Sequence, residues 1–284
     1  MELGGVTLDL SSPPFEFWGL CLGLIVAYTV ALRRYGPSMV GRPDVAVATG
    51  RQKFAFVSGV VALFAVSGTP FHAIGEQALY SVHMTEHMVH AFVVAPLLLL
   101  GTPAWLFRLV LRWGPARWVA TRIGRPLIAA VIFNVALALL HWPAVVDFMI
   151  TDTQFHGASH LLWIVAAVTM WLPVLSPDPT LVPRLEPPAR MGYIFVQSIL
   201  PTVPSAMLTF GEKPMYQRYD EFDRMFGISA VHDMQLAGLI MKIGVGFLLW
   251  GIITVTFFRW ANREERNDHM PVAPPATPLD VHPA

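Results

Sequence analysis

The sequence predicts an all-α integral membrane protein, a seven-transmembrane-helix bundle with its N-terminus outside and its C-terminus cytoplasmic. Three observations support this fold class. The chain of 284 residues is 55% hydrophobic and 13% charged, with a mean hydropathy of +0.54, whereas soluble domains carry about 25% charged residues. Seven apolar segments approach the ~20 residues that a hydrocarbon core of ~30 Å requires. Lys and Arg are concentrated in alternate loops.

The seven predicted spans follow the apolar runs, and Pro and Gly fall mostly at their ends. The spans cover residues 16–33, 53–69, 80–100, 125–141, 157–175, 191–210 and 231–258. Residues 1–15 then form an extracytoplasmic segment, residues 16–260 the membrane domain, and the Pro-rich residues 261–284 a disordered cytoplasmic tail. The start, MELGGVTLDL, lacks the positive n-region of a cleaved signal, so we expect the first helix to be retained.

The distribution of Lys and Arg predicts the orientation, because cytoplasmic loops are enriched in both. Fifteen of the 19 fall in the first, third and fifth loops and the tail, and three fall in the sixth loop. The remaining one, Lys242, lies inside the seventh span, where we expect a buried carboxylate partner. The formal net charge is zero, so nothing indicates a basic face for nucleic acid.

Eight of the ten histidines fall at the outer end of the predicted bundle. His83, His87 and His90 share one helix face at i, i+4, i+7, and His156 and His160 are again i, i+4. The other five are His72, His141 and His232 at this end, and His269 and His282 in the tail. An i, i+4 pair can hold one metal ion, whereas the run from 83 to 90 extends about 10 Å along the helix. We therefore expect one site that uses two of these three histidines, or two neighbouring sites.

A plainer interpretation exists for each of these residues alone. A single histidine at a membrane boundary is often bonded to water or headgroups, and Glu86 and Asp233 would be solvated near the ends of their spans. Ionisable groups that face a bundle interior are expensive, however, and tend to mark function. Because four helix ends offer histidine to one region, the sequence favours a metal or cofactor site.

Methionines beside the histidines favour copper among the metals that imidazole binds, which include zinc, copper, iron and nickel. Met84 and Met88 each follow a histidine, and Met207 and Met234 also lie near outer span ends. Thioether ligands select copper(I), although core packing explains each methionine as well. The single cysteine, Cys21, is either a further thiolate ligand or a buried structural thiol.

Several of these residues belong to motifs that resemble the CtaG family of membrane assembly factors linked to caa-type cytochrome c oxidases. The motifs, in order within residues 52–258, are His83-Met84-x-x-His87-Met88, Val94-Ala95-Pro96-Leu97-Leu98, Gly101-x-Pro103, His141-x-Pro143, His156-x-x-x-His160, Trp171-x-Pro173 and Asp233-x-Gln235-Leu236-Ala237-Gly238-Leu239-Ile240-Met241. The chain departs from the family pattern at Met234 and Lys242, and His232 is a local addition.

The resemblance implies a bacterial inner-membrane protein that supports copper insertion into the catalytic subunit of a haem–copper oxidase. The implied partners are that subunit, periplasmic copper chaperones and the lipid bilayer, with no nucleic acid. We therefore predict a binding and delivery protein rather than an enzyme, with Asp233 orienting a histidine or neutralising charge. The predicted metal-site residues are His83, His87, His90, His141, His156, His160, His232, Asp233, Met84 and Met88.

Three other functions use the same residues. A membrane redox protein would hold haem b between histidines on two facing helices. A metal or proton transporter would need ionisable groups across the bilayer midplane, where only Lys242 lies. A scaffold would use the histidines for structure alone.

Overall fold

The N-terminus forms a short hairpin in a chain that is otherwise helical. A computed structural model describes residues 1–10, 14–42 and 44–268. The antiparallel strands are β1 (Glu2–Leu3) and β2 (Val6–Thr7). Gly4 and Gly5 join them at φ values of +60° and +84°, which suit the two-residue turns of hairpins.

The described chain is otherwise built from helices, which confirms the all-α prediction. They are α1 (Phe15–Val40), α2 (Gly50–Ser67), α3 (Pro70–Gln77), α4 (Tyr80–Gly101), α5 (Ala104–Val110), α6 (Gly114–Ile123), α7 (Pro126–Leu140), α8 (Pro143–Thr151), α9 (Thr153–Leu175), α10 (Pro187–Ile199), α11 (Thr202–Thr209), α12 (Gln217–Glu221) and α13 (Ala230–Asn267). A 3₁₀ turn, Met225–Gly227, precedes α13. π-Helical turns interrupt α1, α4 and α13 at Ala31–Tyr35, His90–Val94 and Ile240–Gly244.

Five helical segments are each long and apolar enough to cross a membrane: α1, α4, α9, α10 with α11, and α13. The pairs α2–α3 and α6–α7 meet the same criterion only when taken together, across bends of 46° and 84°. The described residues therefore contain five to seven candidate spans, and the predicted seven is the upper value. The orientation of the two termini stays a prediction.

The sixth and seventh predicted spans differ from the helices of the structure. The sixth span, 191–210, is divided between α10 and α11, because Pro201 cannot donate to the helical hydrogen-bond ladder. The last helix continues through Asn267, past the predicted end of the seventh span at 258, since Arg and Glu are good helix formers. The rest of the predicted tail, with His269 and His282, lies outside the described residues.

Glycines bring α2 and α3 close to α4. A Cβ on Gly59 would lie 3.2 Å from the Cβ of Leu97, and one on Gly75 would lie 3.0 Å from the backbone of His83. Small residues at such contacts let membrane helices approach closely. Gly75 therefore sets how near α3 lies to the histidine face of α4.

Two tryptophans of α9 fix its register on α4. The indole N–H of Trp163 donates to the carbonyl of His87 at 2.8 Å, and that of Trp171 donates to the carbonyl of Ala91 at 2.7 Å. Both tryptophans are buried in the main apolar core. Since a buried indole N–H needs a partner, the two bonds place the histidines of α9 opposite those of α4.

Lys242 does not have the buried carboxylate partner expected for it. Its side chain is exposed on α13, and its ammonium donates to the hydroxyl of Thr202 at 2.5 Å. No carboxylate within the described residues forms an ion pair with it. The helix turns this position outward, away from the interior where Glu86 and Asp233 are buried.

Candidate metal centre

The ends of α3, α4 and α9 meet in a buried cluster of histidines and carboxylates. The stripe on α4 faces α9, with ring centroids 4.8 Å apart between His87 and His160 and 5.6 Å apart between His83 and His160. The short helix α3 lies beside them and contributes one histidine and one glutamate. The cluster consists of His72, Glu76, His83, Glu86, His87, His90, His156 and His160.

Three groups in the cluster each offer three ligand atoms within 4.8 Å of one another. The inner set is His83, His156 and His160; the middle set is His72, Glu86 and His160; and the outer set is His72, Glu76 and His156. Each set shares one residue with each of the others. Of the three histidines on α4, only His83 belongs to a set, so the choice between one site and two neighbouring sites along α4 stays open.

Glu86 lies at the centre of the cluster and is fully buried. It accepts a hydrogen bond from the Ser67 hydroxyl at 2.7 Å and another from Nδ1 of His72 at 2.9 Å. Because Ser67 has one proton and gives it to Glu86, its oxygen accepts from Nε2 of His90 at 2.7 Å. The alternative in which Glu86 is solvated is therefore wrong, because α2 and α3 pack over it.

Glu76 is the most accessible member of the cluster, with a side chain 32% exposed. Its carboxylate lies 3.0 Å from Nε2 of His72 and 2.9 Å from Nε2 of His156. The bridge joins α3 to α9. An anionic oxygen at the rim, beside two nearly buried imidazoles, is a ligand arrangement that suits a divalent or monovalent transition-metal ion.

The interior of the cluster holds several ring nitrogens without hydrogen-bond partners. Both nitrogens of His87 are in this state, as is Nδ1 of His83, His90 and His160. Buried polar atoms in proteins are normally paired, and a neutral imidazole always has one lone pair to offer. A transition-metal ion binds lone pairs of this kind, so the histidines present fit a metal ion carried as cargo.

Two histidines of the inner set are in direct contact with each other. Nε2 of His156 lies 2.7 Å from Nε2 of His160, which is a hydrogen bond only if one ring presents N–H and the other a lone pair. An ion bound by both nitrogens would replace this shared proton. Binding by both rings therefore requires the ring that presents Nε2–H to carry its proton on Nδ1 instead, because a ligating nitrogen must offer its lone pair.

Aromatic rings hold the imidazoles in place. Phe17 of α1 packs edge-on against His72 and His160, with centroids 5.2 and 5.5 Å apart. Trp163 stacks on His87 at 5.6 Å. These rings limit rotation of the histidines and exclude water, which strengthens electrostatic interactions inside the cluster.

Four of the predicted histidine ligands lie outside the three sets: His87, His90, His141 and His232. His232 is exposed on the first turn of α13, because the interior side of that turn is occupied by Asp233. His141 is buried, and its Nδ1 donates to the carbonyl of Leu137 at 2.7 Å. Its Nε2 is unpaired, but it comes from the end of α7 and belongs to none of the three ligand sets.

Asp233 has a different role from the predicted one. Its carboxylate accepts hydrogen bonds from the backbone amides of Tyr80 at 2.6 Å and Ser81 at 3.1 Å, and from the Ser81 hydroxyl. The first amides of a helix have no partner within it, so a carboxylate there is a strong cap. Among the described residues, Asp233 forms no hydrogen bond or ion pair with a histidine, and it positions α4 instead.

The methionines also lie apart from the ligand sets. Met84 is buried with Tyr80 and Tyr216 in a second apolar cluster, and Met88 packs at its edge. The sulfur of Met234 accepts from the backbone amide of Met215 at 3.2 Å, and Met207 is 57% exposed. Residues 84 and 88 lie one position, or about 100°, around α4 from His83 and His87, so the helix turns them towards α13.

Cys21 is buried, and its thiol lies 3.9 Å from the carbonyl oxygen of Val60. This agrees with the structural alternative for the cysteine. Tyr216, in the loop before α12, donates to the carbonyl of His141 at 3.2 Å. Burial raises the pKa of Tyr216 to about 12, so the phenol is neutral at ordinary pH.

Sequence reasoning missed His72, Glu76 and Glu86 as site residues. The signal for the first two was present in PFHAIGEQ, where His72 and Glu76 are related by i, i+4. Their helix is too short to be recognised as part of the bundle. Glu86 lies one position before His87, and only its contact with Ser67 and His72 shows that it faces inward.

The fold and the cluster together define a polytopic helical membrane protein with a buried histidine–carboxylate centre at one end of its bundle. The sequence model described as cytochrome c oxidase caa3 assembly factor (Caa3_CtaG) matches residues 26–263. The chain belongs to this family, which confirms the resemblance carried by its motifs.

Two curated relatives extend the comparison. They are named uncharacterized protein Mb0105 of Mycobacterium bovis and uncharacterized protein MT0111 of Mycobacterium tuberculosis, and each is 26% identical to this chain over 265 residues. The match covers 87% of this chain and 38% of each relative, so the chain spans well under half of their length. No solved structure matches the chain.

Proposed function

We propose that this protein supports assembly of cytochrome c oxidase in a bacterial inner membrane by binding copper at its histidine cluster and delivering it to the catalytic subunit. The observation that carries the proposal is the inner set, in which ligand atoms of three buried histidines from α4 and α9 lie within 4.8 Å of one another. Family membership supports the role in assembly, and the histidine cluster supports copper as the ion that is carried.

The chemistry of the donors favours copper among the common cations. Imidazole nitrogen binds copper, zinc and iron well, and divalent copper binds N-donor sites most tightly of the first-row series. Three imidazoles also leave a coordination position free for an incoming ligand. Calcium and magnesium prefer oxygen ligands, which the inner set does not offer.

Delivery needs a site that releases its ion, and two features support release. The contact between His156 and His160 at 2.7 Å re-forms when the ion leaves, so the empty site is stabilised. The histidines are shared among three sets, which allows ligands to be replaced one at a time. A site of this kind suits transfer by ligand exchange to a partner protein.

Haem b and transport are less well supported. A haem between His87 and His160 would have to separate their rings, whose centroids are only 4.8 Å apart. A transporter needs ionisable groups across the midplane, and in the described spans the buried histidines and carboxylates gather at one end. The alternative of a scaffold with structural histidines predicts no bound metal.

The test is elemental analysis and an absorption spectrum of the purified full chain after incubation with copper and removal of free ions. We expect about one copper or more in the wild type, loss in His83→Ala/His160→Ala, and retention in the matched control His232→Ala. A copper content in the double variant equal to that of the wild type would contradict the inner set. A Soret band would support haem b, and a wild type without metal would support the scaffold.

The role in assembly is tested separately in cells that lack this chain. We expect oxidase activity and the copper content of the oxidase to fall, and His232→Ala but not His83→Ala/His160→Ala to restore both. Restoration by the double variant would show that assembly does not depend on copper at the inner set.

A further inference from the structure

A cavity leads from the surface to the outer set. It has a volume of about 200 Å³ and is lined by Asp9, Trp18, Thr69, His72, Glu76 and Gln77, among others. The hairpin segment is fastened to its wall, because the amide of Asp9 donates to the side-chain oxygen of Gln77 at 2.8 Å and the Gln77 amide donates back at 2.9 Å. We name this space the access cavity.

Exposure falls from the access cavity inward. The side chain of Glu76 is 32% exposed, those of His72 and His156 are 6% and 8% exposed, and that of His160 is 1% exposed. A carboxylate oxygen therefore meets solvent first, and imidazole nitrogens follow. An ion that arrives hydrated loses water in steps along this order, rather than all at once.

The outer and inner sets share His156. An ion held by His72, Glu76 and His156 reaches the inner set if it keeps His156 and exchanges the other two ligands for His83 and His160. The rings of His72 and His160 are 5.4 Å apart, and those of His83 and His156 are 5.6 Å apart. Ligand exchange over such distances needs side-chain rotation but no movement of a helix.

We propose that the outer set of His72, Glu76 and His156 is a separate loading site for copper ions, which reach the inner set through it by ligand exchange at His156. This inference rests on the proposed copper-binding function. Glu76 acts as the first protein ligand for the incoming ion, and its negative charge draws the cation into the access cavity.

The test compares loading rate with final copper content in the full chain. Copper(I) is offered from a chromophoric chelator complex and its transfer followed by stopped flow, while elemental analysis gives the content at equilibrium. We expect Glu76→Gln to load about tenfold or more slowly than wild type, with the inner site still filled at equilibrium. Glu76→Asp should recover much of the rate, and Glu212→Gln, at an exposed loop carboxylate, should match wild type.

The outcomes separate this inference from the function on which it rests. An unchanged rate in Glu76→Gln, with normal copper content, overturns the loading site alone. A wild type that takes up no copper overturns both. If Glu76→Gln fails to fold, Glu76→Asp and Ala73→Leu, which narrows the same cavity, test the route, and wild-type rates in both would contradict it.

A second inference comes from Lys242, which is independent of the metal cluster. Along α13, Lys242 lies about 18 Å from Ala230 and about 25 Å from Arg259, at 1.5 Å per residue. This places it within the apolar stretch, and its neighbours Leu239 and Ile243 are exposed. An ammonium facing lipid is expensive unless it is paired, and one hydroxyl of Thr202 leaves its charge uncompensated.

We infer that this face of α13 binds a transmembrane helix of a partner protein that carries Asp or Glu at mid-membrane depth. Charge complementarity selects this occupant, because Glu86 and Asp233, the carboxylates inside the described apolar spans, are buried near the outer end of the bundle. A second copy of the chain therefore has no matching group in the described residues. The exposed side chains of Val203 and Phe247 provide apolar contact on either side.

The test uses liposomes that contain the fluorescently labelled chain and a labelled Leu–Ala transmembrane peptide with one central Glu. We expect energy transfer with this peptide, and its loss with the Gln peptide or with Lys242→Met. Lys242→Glu with a Lys-centred peptide should restore it. Equal transfer for the Glu and Gln peptides would overturn the inference, as would self-association of the chain that depends on Lys242.

Discussion

The carboxylate of Asp233 lies 2.6 Å from the amide nitrogen of Tyr80, a residue 153 positions away in the sequence. This bond joins the start of α13 to the start of α4, the helix that carries His83, His87 and His90. Asp233 was predicted from the sequence to belong to the metal site. In the structure it caps α4, the helix that carries these three histidines.

Asp233→Ala should lower the stability of the chain by about 1–2 kcal/mol, the usual effect of removing a helix cap. It should also weaken copper retention, because the start of α4 is no longer held in place. Asp233→Asn keeps one oxygen acceptor and should be intermediate in both. Thermal unfolding in detergent and copper content measure the two effects. Loss of copper with unchanged stability would instead identify Asp233 as a ligand.

His87→Phe should stabilise the metal-free chain while reducing copper retention. Both ring nitrogens of His87 are buried without hydrogen-bond partners, and an unsatisfied buried polar group costs about 1–3 kcal/mol. Phe keeps the aromatic contact with Trp163. The melting temperature without and with copper measures the change. A variant that is less stable and binds copper normally would show that His87 is structural.

Gly75→Ala and Gly157→Ala form a matched pair around the cluster. A Cβ at Gly75 would lie 3.0 Å from the backbone of His83, whereas one at Gly157 meets no atom within 4 Å. We expect Gly75→Ala to destabilise by about 1–3 kcal/mol through overpacking and to weaken the outer set. Gly157→Ala should be neutral or stabilising by up to about 1 kcal/mol, because Ala favours a helix. Thermal unfolding checks both, and equal effects would contradict the close contact of α3 with α4.

The loop after α9 should be sensitive to acid. A hydrogen bond from Arg108 holds the pKa of the Asp178 carboxyl below its ordinary value, and Thr180 donates to the same group at 2.7 Å. A carboxyl whose pKa is lowered in the folded state stabilises the fold at pH values above its unfolded pKa of about 4. That stabilisation is lost as the pH falls through the pKa of the folded state. The melting temperature between pH 6 and pH 3 should therefore fall less in Asp178→Asn than in wild type; identical profiles would contradict the role of this carboxyl.

The spacing of the histidines predicted which of them share a helix face, whereas metal binding by them stays a prediction. The i, i+4, i+7 stripe on α4 and the i, i+4 pair on α9 do face one another. Spacing did not reveal that His232 is exposed, because periodicity gives the relative angle of residues on one helix but not the rotation of that helix against its neighbours. The same limit applies to Met84 and Met88. They follow His83 and His87 in the sequence, but they pack in the second apolar cluster, apart from the ligand sets.

The sequence by itself determined that the chain is helical and apolar enough for a membrane, that histidines gather at one end, and that its motifs belong to an oxidase assembly family. These properties follow from composition and local period, which are independent of distant contacts. Only the tertiary structure decided that Glu76 and Glu86 join the cluster and that Asp233 leaves it. Each of those outcomes depends on a contact between two helices, namely α3 with α9, α2 with α4, and α13 with α4. The packing of side chains and glycines at these contacts determines which groups are buried together.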